Sequence, residues 1–180
     1  MELVLPIAIA AVAILLVASV LLLVMSKKRS TGNSGGARQK NRATIIRECT
    51  NKLAHNPQNV QALEPLAELY YSEHLWDKAL PLYENLLAIS ARHTEINIGE
   101  TNLRVGVCMV KLGKAQESLN FLLTALKALP EIYETNFYLG QALFKTGDYE
   151  KAIPLLKKAL TINPETQGIN QPIGMACYKG

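Results

Sequence analysis

Aromatic side chains are scarce in this 180-residue chain, 6% of the total with one tryptophan and three phenylalanines. A groove that stacks nucleobases needs aromatic platforms set among basic residues on one face, so nucleic acid is not an expected partner. Cysteine is also sparse. Cys49, Cys108 and Cys177 are odd in number and far apart, which excludes a disulfide framework and fits a reducing compartment. The three histidines, His55, His74 and His93, fall 19 residues apart, and none stands at metal-ligand spacing from a cysteine or carboxylate. No phosphate-cradling glycine loop, nucleophile elbow or zinc-protease motif is found. The expectation is a non-enzymatic protein with no catalytic residue, cofactor or metal.

Acidic residues are missing from one stretch altogether. Residues 27–47 hold seven lysines or arginines and no acid, whereas 48–180 hold twelve bases against fourteen acids, a balance of minus two. The net charge of +4 therefore belongs to a short basic segment and not to the body of the chain. Before that segment lies Leu3 to Met25, 23 residues without a charge. As a helix at about 1.5 Å per residue it spans a hydrocarbon core of about 30 Å. Fifteen of the 23 are Leu, Ile or Val, each favouring insertion by roughly 0.3 to 0.6 kcal/mol. A cleaved signal would need a basic leader and a shorter apolar run, and here the leader is Met1-Glu2. Residues 3–25 are thus expected to be an uncleaved transmembrane anchor. Lys27, Lys28 and Arg29 sit directly behind it, close to the lipid surface. The positive-inside bias puts that flank in the cytoplasm and the N-terminus outside. A bacterial inner membrane fits better than the membrane of a eukaryotic organelle. Residues 26–37 read as a flexible basic and Gly/Ser tether.

The rest of the chain repeats. Gly106 and Gly140, Ser118 and Ala152, Ala125 and Ala159, and Pro130 and Pro164 are all 34 residues apart. With Tyr133 as slot 1, apolar residues recur at helical spacing in two stretches, Phe137 to Phe144 and Ile153 to Leu160. Gly147-Asp148 between them reads as a turn followed by a helix N-cap. Each unit is then a helix hairpin. Slots 8 and 20 are small because the two helices approach closely there. Proline at slot 32 ends the unit, because it disfavours helix in the residue before it. Pro81 and Pro154, both at slot 22, cut against the second helix unless that position tolerates them.

These slots resemble the tetratricopeptide repeat family. The resemblance implies an all-α fold, in which the N-terminal transmembrane helix is followed by a right-handed solenoid of about three full hairpin repeats. They are expected at 60–93, 99–132 and 133–166. Five extra residues near Ser90 to Ile98 are either a longer loop or an added helical turn. Residues 38–57 read as a capping half-repeat with Ile45, Ile46, Cys49 and Leu53 on one side. Residues 167–180 are in phase with an incomplete fourth repeat, with Pro172 at slot 6, Ile173-Gly174 at slots 7 and 8 and Cys177 at slot 11. Continuation of the native chain, a frayed end and cover by another chain all remain open there.

In this family slots 2, 5, 9, 12 and 13 of successive first helices line a concave groove. Carried over, these are Gln61, Glu64, Glu68, Tyr71 and Ser72, then Glu100, Leu103, Val107, Val110 and Lys111, then Glu134, Phe137, Gln141, Phe144 and Lys145. Some members clamp the carboxylate end of a chaperone peptide through Lys at slot 5 and Asn at slot 9. Here those slots hold Glu64 and Glu68, Leu103 and Val107, or Phe137 and Gln141, so the clamp is absent. Leu103, Val107, Val110, Phe137 and Phe144 would form an exposed apolar strip, the mark of a binding site for an apolar or amphipathic peptide or helix. The expected function is a single-pass membrane-anchored adaptor or scaffold that holds a partner protein in this groove. The alternatives are a self-associating homo-oligomer, and the N-terminal part of a larger envelope-biogenesis regulator, as in bacterial lipopolysaccharide assembly regulators of similar architecture.

Overall fold

A computed structural model describes residues 41–165, and every regular element among them is an α-helix. Helix α1 covers 41–55. Three hairpins follow: α2 (Val60–Ser72) with α3 (Trp76–Ile89), α4 (Ile98–Lys111) with α5 (Ala115–Ala128), and α6 (Tyr133–Thr146) with α7 (Tyr149–Ile162). The chain divides into two compact units, Met1–Ile45 and Ile46–Gly180, and the second holds the hairpins. The expected anchor at 3–25, the tether with Lys27, Lys28 and Arg29, and the segment 167–180 lie outside the described residues. No helix among the described residues is long and apolar enough to cross a membrane.

Glycine makes the hairpins possible at two kinds of place. Gly113 and Gly147 end α4 and α6 with φ of 82° and 90°, a left-handed conformation that costs an L side chain about 1 to 2 kcal/mol. Asp148 then caps α7 by accepting from the Lys151 amide at 3.3 Å. The first hairpin meets the same demand with His74, φ 60°, at the same slot. Histidine is one of the few residues that tolerate this region, and the imidazole lies 5.0 Å from the Trp76 ring.

The second kind of glycine sets the distance between the paired helices. A Cβ on Gly106 would fall 2.5 Å from Leu122 Cγ, and one on Gly140 would fall 2.8 Å from Leu156 Cγ. Slot 8 is therefore small because slot 24 is a fully buried leucine. Slot 20 has no exposure in any hairpin, whether Ala79, Ser118 or Ala152. The first hairpin substitutes a second pair, Ala67 at slot 8 and a buried Tyr83 at slot 24.

The prolines sit where the lost bond is least missed. Pro65, Pro81 and Pro154 are each the sixth residue of their helix, so the carbonyl they deprive belongs to the second residue. Those second residues, Gln61, Asp77 and Glu150, are exposed, and water can take the place of the missing N–H. Asn163, before Pro164, is extended and ends α7. A buried asparagine at slot 4 bonds back to the start of its own unit. Asn136 Nδ2 donates to Pro130 O at 2.8 Å and to Ile132 O at 2.9 Å, and Asn102 Nδ2 donates to Ile98 O at 2.7 Å.

The joint between the first two hairpins is a longer loop. Residues 90–97 connect α3 to α4, eight residues, where 129–132 connect α5 to α6, four residues. Ile96, buried, fastens the longer loop to the core. Helix α1 contributes Cys49, buried, and Leu53, which packs on the first core cluster.

Gly106→Ala tests the close approach. Overpacking against Leu122 is expected to cost about 1 to 3 kcal/mol, more than the roughly 1 kcal/mol alanine gains over glycine in a helix. The urea midpoint should fall, and a midpoint that rises would show that Leu122 has room to give.

Candidate functional site

The hairpin geometry gives each first helix a backward and a forward face. On α4, Val105, Cys108 and Met109, slots 7, 10 and 11, lie in a core cluster with Tyr83, Leu86 and Ile89 of the preceding α3. Leu103, Val107 and Val110, slots 5, 9 and 12, lie in a second cluster with Leu139, Ala142 and Leu143 of the following α6. Their exposures are 5%, 0% and 1%. The expected exposed apolar strip is therefore corrected at these three residues, which are core. Here α4 packs directly on α6, which covers these three slots. Burial of three such side chains is worth roughly 5 to 8 kcal/mol in total, which closes this seam. Phe137, Gln141 and Phe144 are half-buried, and Lys111 and Lys145 are exposed at the helix ends. Lys111 Nζ stands 5.4 Å from the Tyr138 ring centroid.

The forward face of α2 is different in kind, for slots 5, 9 and 12 there are Glu64, Glu68 and Tyr71. Carboxylates cannot be buried against α4 without a large desolvation cost, and the longer 90–97 loop lets α4 stand off. What remains is a cleft of about 300 Å³ lined by Glu64, Glu68, Tyr83, Leu86, Asn97, Glu100, Thr101 and Arg104. Three of the expected groove positions, Glu64, Glu68 and Glu100, thus share one wall with residues the groove pattern did not include.

Arg104 bridges the cleft. Its Nε lies 3.2 Å from Glu68 Oε1, off the line of the N–H, so the contact is ionic more than a directed hydrogen bond. One terminal nitrogen lies 3.4 Å from Glu100 Oε1, and the guanidinium carbon sits 4.4 Å from the Tyr71 ring centroid. The Tyr83 hydroxyl donates to Glu68 Oε1 at 2.6 Å, which satisfies a phenol that is otherwise buried. Burial and the Glu68 carboxylate both push the Tyr83 pKa far up. Burial pushes Tyr71 up to about 12 against the pull of Arg104. Ion pairs with exposed carboxylates are worth about 0 to 1 kcal/mol each. The direct α2–α4 contact is therefore weaker than the α4–α6 contact, and the first two hairpins are joined chiefly through the α3–α4 core.

The charge does not balance. Three lining carboxylates face one guanidinium, and Arg104 is already shared between Glu68 and Glu100. Glu64 has no hydrogen-bond or ion-pair partner among the described residues. Glu64 is an exposed residue, and partial desolvation of its carboxyl raises the pKa above 4.5, helped by the neighbouring charges of Glu95, Glu100 and Glu68. Glu95 is occupied with His93 Nδ1 at 2.9 Å. No group of three or more His, Cys, Asp or Glu suited to a metal occurs among the described residues. Cys49 and Cys108 are buried free thiols, with the Cys108 pKa pushed up to about 12 by burial.

Two segments match tetratricopeptide repeat models, residues 62–95 and residues 133–166. Solved structures agree on the fold. MamA from Desulfovibrio magneticus RS-1, from its residue 41 onward, is 18% identical over 79% of this chain and 77% of its own, with a TM-score of 0.65. Another MamA structure is 20% identical over 80% and 78%, also at 0.65. The first TPR of Spaghetti (RPAP3), bound to the HSP90 peptide SRMEEVD, is 13% identical over 67% and 92%, at 0.55. No curated protein matches the chain by sequence. The chain carries tetratricopeptide repeats, and the likeness to these structures is one of fold.

Glu64→Gln tests the uncompensated carboxylate. The folded chain holds this proton more tightly than the unfolded one, so the group's contribution to stability falls as pH rises from 4.5 to its raised value and stays constant above that. The variant is expected to have the higher urea midpoint at pH 7 and to approach the parent near pH 4, where Glu64 is mostly protonated. Equal midpoints at pH 7, or a difference that persists near pH 4, would contradict this.

Proposed function

We propose that this chain is a non-enzymatic membrane-anchored scaffold whose repeats take a partner polypeptide by a cationic side chain in the α2–α4 cleft. The observation that carries the reading is Glu64, a carboxylate without a partner beside Glu68 and Glu100 in a cavity roomy enough for a lysine or arginine head group. A guest cation would offset both the desolvation and the repulsion from Glu95, Glu100 and Glu68 that raise the Glu64 pKa. It would also exchange solvent-screened attraction for a contact partly shielded from water.

The nature of the cleft separates it from one relative's ligand. The peptide SRMEEVD carries three acids, and a wall of carboxylates repels such a sequence. The partner proposed here has the opposite charge, which also departs from the apolar peptide that the sequence pattern suggests. Membrane attachment rests on residues 3–25, whose uncharged apolar run suits a spanning helix, and on the basic flank at 27–29. With the N-terminus outside, the repeats lie in the cytoplasm.

Carbonate-washed inside-out vesicles from cells producing the full chain test both parts together. The vesicles are expected to retain the protein and to capture a fluorescent peptide of alternating lysine and alanine, but not one of alternating glutamate and alanine. Glu64→Lys should leave the protein on the vesicles and weaken capture by about tenfold or more. Deleting residues 3–25 should remove the protein from the membrane. Undiminished capture by Glu64→Lys would sink the cleft assignment, and retention of the deleted chain on washed membranes would sink the anchor.

A further inference from the structure

We infer, on the reading of the α2–α4 cleft as a cation site, that Arg104 is a built-in competitor for that site and that its charge sets how tightly a guest is held. The guanidinium lies in the cleft wall against Glu68 and Glu100, two of the three carboxylates a guest would use. It stands where the guest's own charge would go.

The way Arg104 is held makes the hold exchangeable. A guanidinium well matched to a carboxylate makes two parallel N–H···O bonds of about 2.7 to 2.9 Å. Arg104 makes no such pair. Its Nε lies 3.2 Å from Glu68 Oε1 without a hydrogen bond, and a terminal nitrogen donates to Glu100 Oε1 over 3.4 Å. Glu68 Oε1 is already taken by the Tyr83 hydroxyl at 2.6 Å. The side chains of Glu68 and Glu100 are 51% and 53% exposed, so water screens both ion pairs. One further contact needs no carboxylate at all: the guanidinium carbon sits 4.4 Å from the Tyr71 ring centroid. A guest ammonium therefore has only two long ionic contacts to loosen, and Arg104 keeps its place on Tyr71 while it yields them. Its charge stays beside the guest and opposes it. A neutral side chain at position 104 would leave Glu64, Glu68 and Glu100 to the guest alone.

The test is a titration of the fluorescent lysine–alanine peptide with the full chain in a mild detergent, followed by anisotropy. Arg104→Met keeps an apolar stem against Tyr71 and is expected to bind about threefold to tenfold more tightly than the parent. Arg104→Lys retains the charge and should stay within about twofold of the parent. The glutamate–alanine peptide should remain unbound throughout, which separates a gain by charge from a loosened fold. Arg104→Gln is neutral and can still donate to Glu68, and it decides the matter if Arg104→Met does not fold. Binding by the neutral variants that is unchanged or weaker, beside a parent that binds, would overturn the inference and leave the cation site standing. An equal gain in Arg104→Lys, or a gain for the glutamate peptide, would overturn it as well. No binding by the parent or by either neutral variant would remove both the competitor and the site, whereas binding by the neutral variants alone would show Arg104 excluding the guest outright.

Discussion

Everything in the hairpin array depends on how closely the two helices of a unit approach at slot 8. Gly106 and Gly140 leave no room for a Cβ beside Leu122 and Leu156. That contact fixes the rotation of each first helix about its own axis. With the rotation fixed, slots 7, 10 and 11 turn back toward the preceding unit and slots 5, 9 and 12 turn toward the following one. A residue at slot 5 is then core or cleft according to its chemistry and to the length of the joint behind it.

The two seams among the described hairpins show both outcomes. Between α4 and α6 the forward slots are Leu103, Val107 and Val110, the joint is short, and the seam is filled by apolar side chains. Between α2 and α4 they are Glu64, Glu68 and Tyr71, the joint is longer, and the seam holds a cleft spanned by one arginine. Several kilocalories per mole of apolar burial outweigh about one from a partly exposed ion pair. The first seam is thus closed by apolar packing, and the second keeps a polar cleft. The buried Tyr83 belongs to this design, because its hydroxyl needs Glu68 as acceptor and so ties the hairpin's own packing to the polar wall.

Much of this was legible in the residues. The 34-residue spacing of glycine, small residues and proline marks the hairpins, and Gly147-Asp148 marks a turn and a cap that the structure reproduces. The position of the prolines near helix starts was also readable from their shared slot. The groove was not. A slot pattern says which way a side chain points but not whether the next helix comes down on it, and that is settled by the neighbour's volume and the joint's length. The slot pattern alone therefore places Leu103, Val107 and Val110 on a surface, whereas they are core. Arg104 and Tyr83 fall on slots outside the groove pattern, and their meeting with Glu68 depends on packing in three dimensions. His74 hides its role because histidine stands where the later units have glycine. The slot-4 asparagines, by contrast, left a signal: Asn102, Asn136 and Asn170 are 34 residues apart, and the repeat itself could have revealed them.

The central claim is that the forward face of α2 is open and that of α4 is closed, at the same slot. Thiol labelling rates of Glu68→Cys and Val107→Cys in the folded full chain test it most directly. The account predicts that the thiol at position 68 reacts within about tenfold of a free peptide thiol, and that the thiol at 107 is slower by roughly a hundredfold or more, limited by local opening. Similar rates at the two positions would contradict it.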